Sequence, residues 1–139
     1  MIGMFPEMII ISILAGLLST MNVLVINNHH MRVHLNDIYM ISLMTSWMVL
    51  IYSIYYEKIL ISIIGLFFVL LFLYLLKTQT LINDKQFVKG MIPHHSMAIL
   101  MSKKIKEKTK NKDISQLADN IIKTQISEIN TLEAIERNL

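Results

Sequence analysis

The sequence predicts an all-α chain: three membrane-crossing helices and then a helical hairpin that stands in water. Three observations predict this. Long apolar stretches fill the first 76 residues. Of the 13 Lys and Arg, only Arg32 and Lys58 precede residue 77, so the other 11 follow it. Past residue 83, apolar side chains recur at three- and four-residue steps, the period of an amphipathic helix.

The first span runs from about 8 to 26 and holds no formal charge; Ser12, Ser19, Thr20 and Asn22 are its clearly polar members. At 1.5 Å per residue this length matches a hydrocarbon core of ~30 Å. No basic region precedes it and no small-x-small site follows, so it reads as an uncleaved helix rather than a signal peptide. The second span covers about 38–56, with Tyr52, Tyr55 and Tyr56 at its end, where aromatic side chains suit the membrane–water boundary. The third, about 59–76, is the most apolar. Only Glu57 and Lys58 separate spans two and three, which makes them a tight antiparallel pair. Met8, Met21, Met40, Met44 and Met48 read as lipid-facing or core side chains.

The acidic residues follow the same asymmetry, with Glu7, Asp37 and Glu57 early and the other seven late, so the tail carries +4 (11 − 7). This gives a membrane domain over 1–76, a connector over 77–83 and a charged helical domain over 84–139. Asn83 or Asp84 caps the first tail helix. That helix is expected over Asp84–Lys108, and a second over Ile114–Arg137, with the lysine-rich stretch Lys106 to Lys112 between them. Pro93 lacks an N–H and crowds the carbonyl of Lys89, so a kink or restart is expected there.

The chain has no cysteine, which excludes disulfides, thiolate metal sites and cysteine nucleophiles. Its chemistry gathers instead at Met91-Ile92-Pro93-His94-His95-Ser96-Met97, with Met101 beyond. On a helix His94, Met97 and Met101 share a face, and His95 lies four residues after Met91. Thioethers select Cu(I), and imidazole accepts copper or zinc, so a His/Met set points to a copper ion. The competing reading is structural: His95 on the helix–helix seam, hydrogen-bonded to Gln125. A second cluster, His29, His30, Met31 and His34, sits in the first loop, with His30 and His34 at helical spacing. An odd number of spans puts this loop and His94–His95 on one membrane face.

The run Phe87-Val88-Lys89-Gly90-Met91-Ile92-Pro93-His94-His95, then Leu117-Ala118-Asp119-Asn120-Ile121-Ile122, Gln125 and Glu128-Ile129, resembles the domain-of-unknown-function family 305. The resemblance covers about Asp84 to Leu139. It implies a ferritin-like helical hairpin, with some members tied to copper binding. A membrane-anchored subgroup carries three helices ahead of this domain, and Asp37-Ile38-Tyr39-Met40 is similar to the opening of its second span. The resemblance implies Met91, His94, His95, Met97 and Met101 as metal ligands. Beside that set, His29, His30, His34 and Glu128 form a second tier of candidates. Where members often carry a further Met, this chain has Leu132.

The function expected is a membrane-anchored copper-binding protein for sequestration or handover. The alternative is a non-catalytic helical interaction or self-association module. An enzyme is not expected. A di-iron site needs Glu three residues before His, and Met91 and Ile92 stand there. No nucleic-acid partner is expected; the lipid bilayer is, and so is a homo-oligomer. Positive charge near the spans points the tail to the cytoplasm. The resemblance to periplasmic members points it outward, and the outward placement is the expectation taken.

Overall fold

The computed structural model describes residues 4–139, with side chains from Pro6 onward. The described residues are all-helical. Five α-helices follow in order: α1 Met4–Leu18, α2 Leu35–Tyr55, α3 Ile59–Thr78, α4 Asp84–Lys106 and α5 Lys112–Glu136. Two 3-10 turns, Met21–Leu24 and Asn28–His30, lie between α1 and α2. The chain forms two compact units: Met1–Thr20 with Leu35–Ile82, and Met21–His34 with Asn83–Leu139.

In the first unit α2 packs against both α1 and α3. Three helical segments are long and apolar enough to cross a membrane: Pro6–Leu24, Leu35–Tyr55 and Ile59–Thr78, with mean hydropathy 1.8, 1.5 and 3.0. The first is not one continuous α-helix, as the sequence reading had it over 8–26. The helix α1 stops at Leu18, and its 15 residues span about 22 Å. Polar Ser19, Thr20 and Asn22 break the apolar run at that point.

Hydroxyls inside the apolar helices bond back to their own backbone, as Ser12 Oγ does to Met8 O at 2.8 Å and Ser46 Oγ to Ser42 O at 2.7 Å. The α2–α3 pair closes tightly, as expected. Glu57 turns the chain at φ 56°, and Lys58 N donates to Ser53 O at 2.8 Å. Ser62 Oγ reaches Ser53 Oγ at 2.9 Å across the pair. At Gly65 the helices touch backbone to side-chain position: a Cβ there would lie 3.0 Å from Leu50 Cα. Small residues permit such approaches between apolar helices, whose attraction is mainly packing. The helix α3 runs to Thr78, beyond the expected end at 76, and Gln79 caps it in the left-handed region. Below it, Tyr39 donates to Thr80 O at 2.8 Å.

The second unit is a helical hairpin with a cover. Asn83 caps α4 by accepting from Gln86 N, and Asn111 caps α5 by accepting from Asp113 N and Ile114 N. The α4–α5 interface buries Val88, Ile92, Ile99, Ala118 and Ile129. The helix α4 continues without a break through Pro93, so the restart expected there does not occur. The domain boundary also differs from the one drawn at residue 76: the loop Met21–His34 belongs with the hairpin. It is not helical over His30–His34. It makes two 3-10 turns and then an extended run, held by a reciprocal pair in which Asn22 Nδ2 donates to Arg32 O at 2.7 Å and Arg32 N to Asn22 Oδ1 at 2.8 Å.

Candidate metal centre

The α4 helix presents its His/Met segment in two directions. His95 and Ser96 are buried, whereas His94 and Met101 are exposed and Met91 and Met97 half-buried. Adjacent helical residues diverge by ~100°, which is why one imidazole faces α5 and its neighbour faces out. Their ring centroids lie 5.9 Å apart at an interplanar angle of 71°.

The partner of His95 is Glu128, not the expected Gln125. Nδ1 of His95 stands 2.9 Å from Oε2 of Glu128. The angles at this contact fall outside those of a directed hydrogen bond, so the attraction is electrostatic. The reason is register. Glu128 lies one position before Ile129, whose side chain is buried in the interface, so its longer side chain reaches the flank of the seam where His95 emerges.

The loop histidines separate. His30 Nδ1 lies 2.9 Å from Ser96 Oγ, the same hydroxyl that accepts Ile26 N at 2.9 Å. Burial holds the His30 pKa below its ordinary value, Glu133 opposes that shift, and His29 and Arg32 add to it. His34 is almost fully buried, its ring 3.4 Å from where a Cβ on Gly90 would stand. His29 is exposed, with Nε2 3.5 Å from Glu133 Oε1. The second-tier candidates therefore do not converge on one point: His30 meets Ser96, His34 faces Gly90, Glu128 meets His95, and only His29 and His30 share Glu133 as a neighbouring charge. Among the described residues, no three of His, Asp and Glu gather in a group able to hold a metal ion.

Sequence reasoning did not find the link that ties the loop to the hairpin. Arg32 donates to Glu136 through Nε at 3.1 Å to each carboxylate oxygen and through an Nη at 2.9 Å. These bonds hold the Glu136 carboxyl below the usual range, against the effect of burial, with help from the charges of Arg32, Lys89 and Lys85. A lone arginine in an otherwise uncharged loop was the available signal.

Fold and site together define a class: a helical hairpin whose first helix carries one histidine at the seam and its neighbour facing out, in a chain with three apolar helices. Residues 75–136 match the family model described as Domain of unknown function (DUF305). The chain is also 45% identical over 144 residues to the "Uncharacterized protein L153" of Acanthamoeba polyphaga mimivirus, covering 99% of this chain and 95% of that protein. The chain belongs to the family of that viral protein, and the DUF305 match covers the hairpin together with the end of α3. The viral relative aligns over the three apolar helices as well. No solved structure matches the chain.

Proposed function

We propose that the protein is a membrane-anchored copper-binding protein that sequesters Cu(I) or hands it over through the His/Met face of α4. One observation carries this reading: an imidazole, His94, and a thioether, Met101, stand exposed on one helix, with Met91 and Met97 at their flanks. Soft sulfur with imidazole fits Cu(I) better than the hard divalent ions, which take oxygen. No carboxylate lies on α4 between Asp84 and Lys106.

His95 has a supporting place in this reading. A carboxylate charge beside Nδ1 favours a proton on that nitrogen and the lone pair on Nε2, although the contact is not a directed hydrogen bond. Glu128 stands on that side of His95. The same pair also serves as a seam contact within a ferritin-like hairpin, so His95 ranks behind His94 as a ligand.

The three apolar segments, each 19–21 residues long, support the anchoring by their length and composition. In this proposal the protein is a multi-pass membrane protein with its hairpin on the outer side. Protease accessibility of the hairpin in sealed vesicles of known orientation tests that placement. The metal reading is tested by titrating Cu(I) against a competing chelator into the full chain in detergent micelles. The wild type should bind at least ten times more tightly than a His94→Ala, Met101→Ala variant. Equal affinity would remove the basis for the proposal.

A further inference from the structure

The hairpin has one covered side and one open side. The loop covers the first, through His30 and Ile26 on Ser96. The open side carries Phe87, Met91, His94, Ala98, Met101 and Ile105, spaced by four, three, four, three and four residues. That alternation keeps a stripe in line along a helix and is the spacing by which helices pack against a partner helix. The stripe holds no formally charged residue, yet Phe87 is 52% and Met101 60% exposed. On α5 the open side continues. Glu128, which reaches His95 there, shares its face with Ile121 and Ile135 at seven-residue steps and with Leu117 four before Ile121.

We propose that a second copy of this chain docks here, with α4 of the two copies antiparallel about a two-fold axis. The stripe is its own complement. Reversed about its middle, it sets Phe87 against the partner's Ile105, Met91 against the partner's Met101 and His94 against the partner's Ala98. Large apolar groups meet large apolar groups, and the bulky imidazole meets the smallest side chain. An isologous interface requires such reciprocity; an unrelated protein has no reason to match it. A hairpin supplies two helices, and two hairpins supply the four of a bundle. No lysine lies in the α4 stripe to oppose the approach of an identical, basic hairpin.

The same pairing bears on the metal donors, a consequence that rests on the copper reading above. The partner's Met101 comes to lie beside Met91, one layer from His94. The donors then come from two chains, and the small Ala98 leaves room beside the ring.

The test uses the full chain in detergent micelles, free of metal. Because the chain has no cysteine, only introduced thiols can pair. A Met91→Cys, Met101→Cys variant should form disulfide-linked dimers under mild oxidation. Each single variant should not, because its thiol and its symmetry mate stand about 15 Å apart along the helices, far beyond disulfide reach. Ala98→Glu, at a half-exposed site, should leave the helical circular dichroism intact and halve the mass found by light scattering. A monomeric wild type, a dimer that persists in Ala98→Glu, or single variants that cross-link as well as the double would each overturn the proposal. A dimer that fails to bind Cu(I) would support this interface and remove only the metal reading.

Discussion

The Arg32 guanidinium grips the Glu136 carboxylate with three hydrogen bonds across 104 positions of sequence. Its other arm donates to the carbonyls of His29 at 2.6 Å and Met31 at 3.0 Å. One side chain therefore shapes the loop and fastens it to the end of α5. Both side chains are about four-fifths buried, so the pair is screened less than a surface ion pair. Replacing Glu136 with Gln should cost about 1.5–3 kcal/mol, the range for hydrogen bonds to charged groups. A double-mutant cycle with Arg32→Met, read by thermal unfolding in micelles, should return a coupling of about 1 kcal/mol or more. Strictly additive losses would show that the contact is incidental.

Acid should loosen the loop in two stages. His30 has its pKa lowered by burial, so the unfolded chain binds its proton more readily than the folded one. Stability from this group is complete above the ordinary value of 6.5 and is lost as pH falls below it, levelling off under the folded pKa. Glu136, also lowered, adds a second loss that begins as pH falls through 4.5. Wild-type protein should therefore melt at a lower temperature at pH 5.5 than at pH 7.5. In His30→Asn, which keeps a polar partner for Ser96 but cannot titrate, that difference should shrink. An unchanged pH dependence in the variant would assign the effect to other groups.

The same substitution should have opposite signs at two glycines. At Gly65 a Cβ would stand 3.0 Å from the Leu50 Cα and 3.1 Å from its N, atoms that move only if the helices part. Gly65→Ala should therefore destabilise by about 1–3 kcal/mol, as overpacking does. At Gly90 the nearest atom is the His34 ring at 3.4 Å, an ordinary contact. There the helical preference of alanine decides, and Gly90→Ala should stabilise by about 0.5–1 kcal/mol. Thermal unfolding of the two variants side by side separates the cases; matching shifts would contradict the packing described at Gly65.

The helices were legible in the sequence because apolar runs and three-four spacing are local signals. Asn83 announced the start of α4, and Glu57-Lys58 the turn between α2 and α3. The first span was misread at its end because composition does not show where an apolar run stops being helix. There Asn22 forms its reciprocal pair with Arg32, ten positions away. The seam partner of His95 was misassigned by one turn, since periodicity places Gln125 and Glu128 on neighbouring lines and side-chain reach decides between them. The loop's attachment lay outside local pattern altogether, because it depends on Ser96 and Glu136, which are remote in sequence.

Pro93 is fully buried inside an unbroken α4, immediately before the two histidines. A proline in a helix interior costs about 3 kcal/mol relative to alanine, since it removes an N–H and crowds the preceding turn. Its ring offsets part of that by packing: the two methylenes lost on truncation would be worth about 1.6 kcal/mol. The balance predicts that Pro93→Ala stabilises the protein by about 1 kcal/mol, visible as a rise of a few degrees in Tm. A local rule broken beside chemically active side chains often marks a functional site. In the copper reading, the Lys89 carbonyl, deprived of its usual donor, relaxes the turn that carries Met91 and His94. Pro93→Ala should therefore also weaken Cu(I) binding although the fold is firmer. A variant that is both less stable and unchanged in Cu(I) affinity would show that the proline is there for its packing alone.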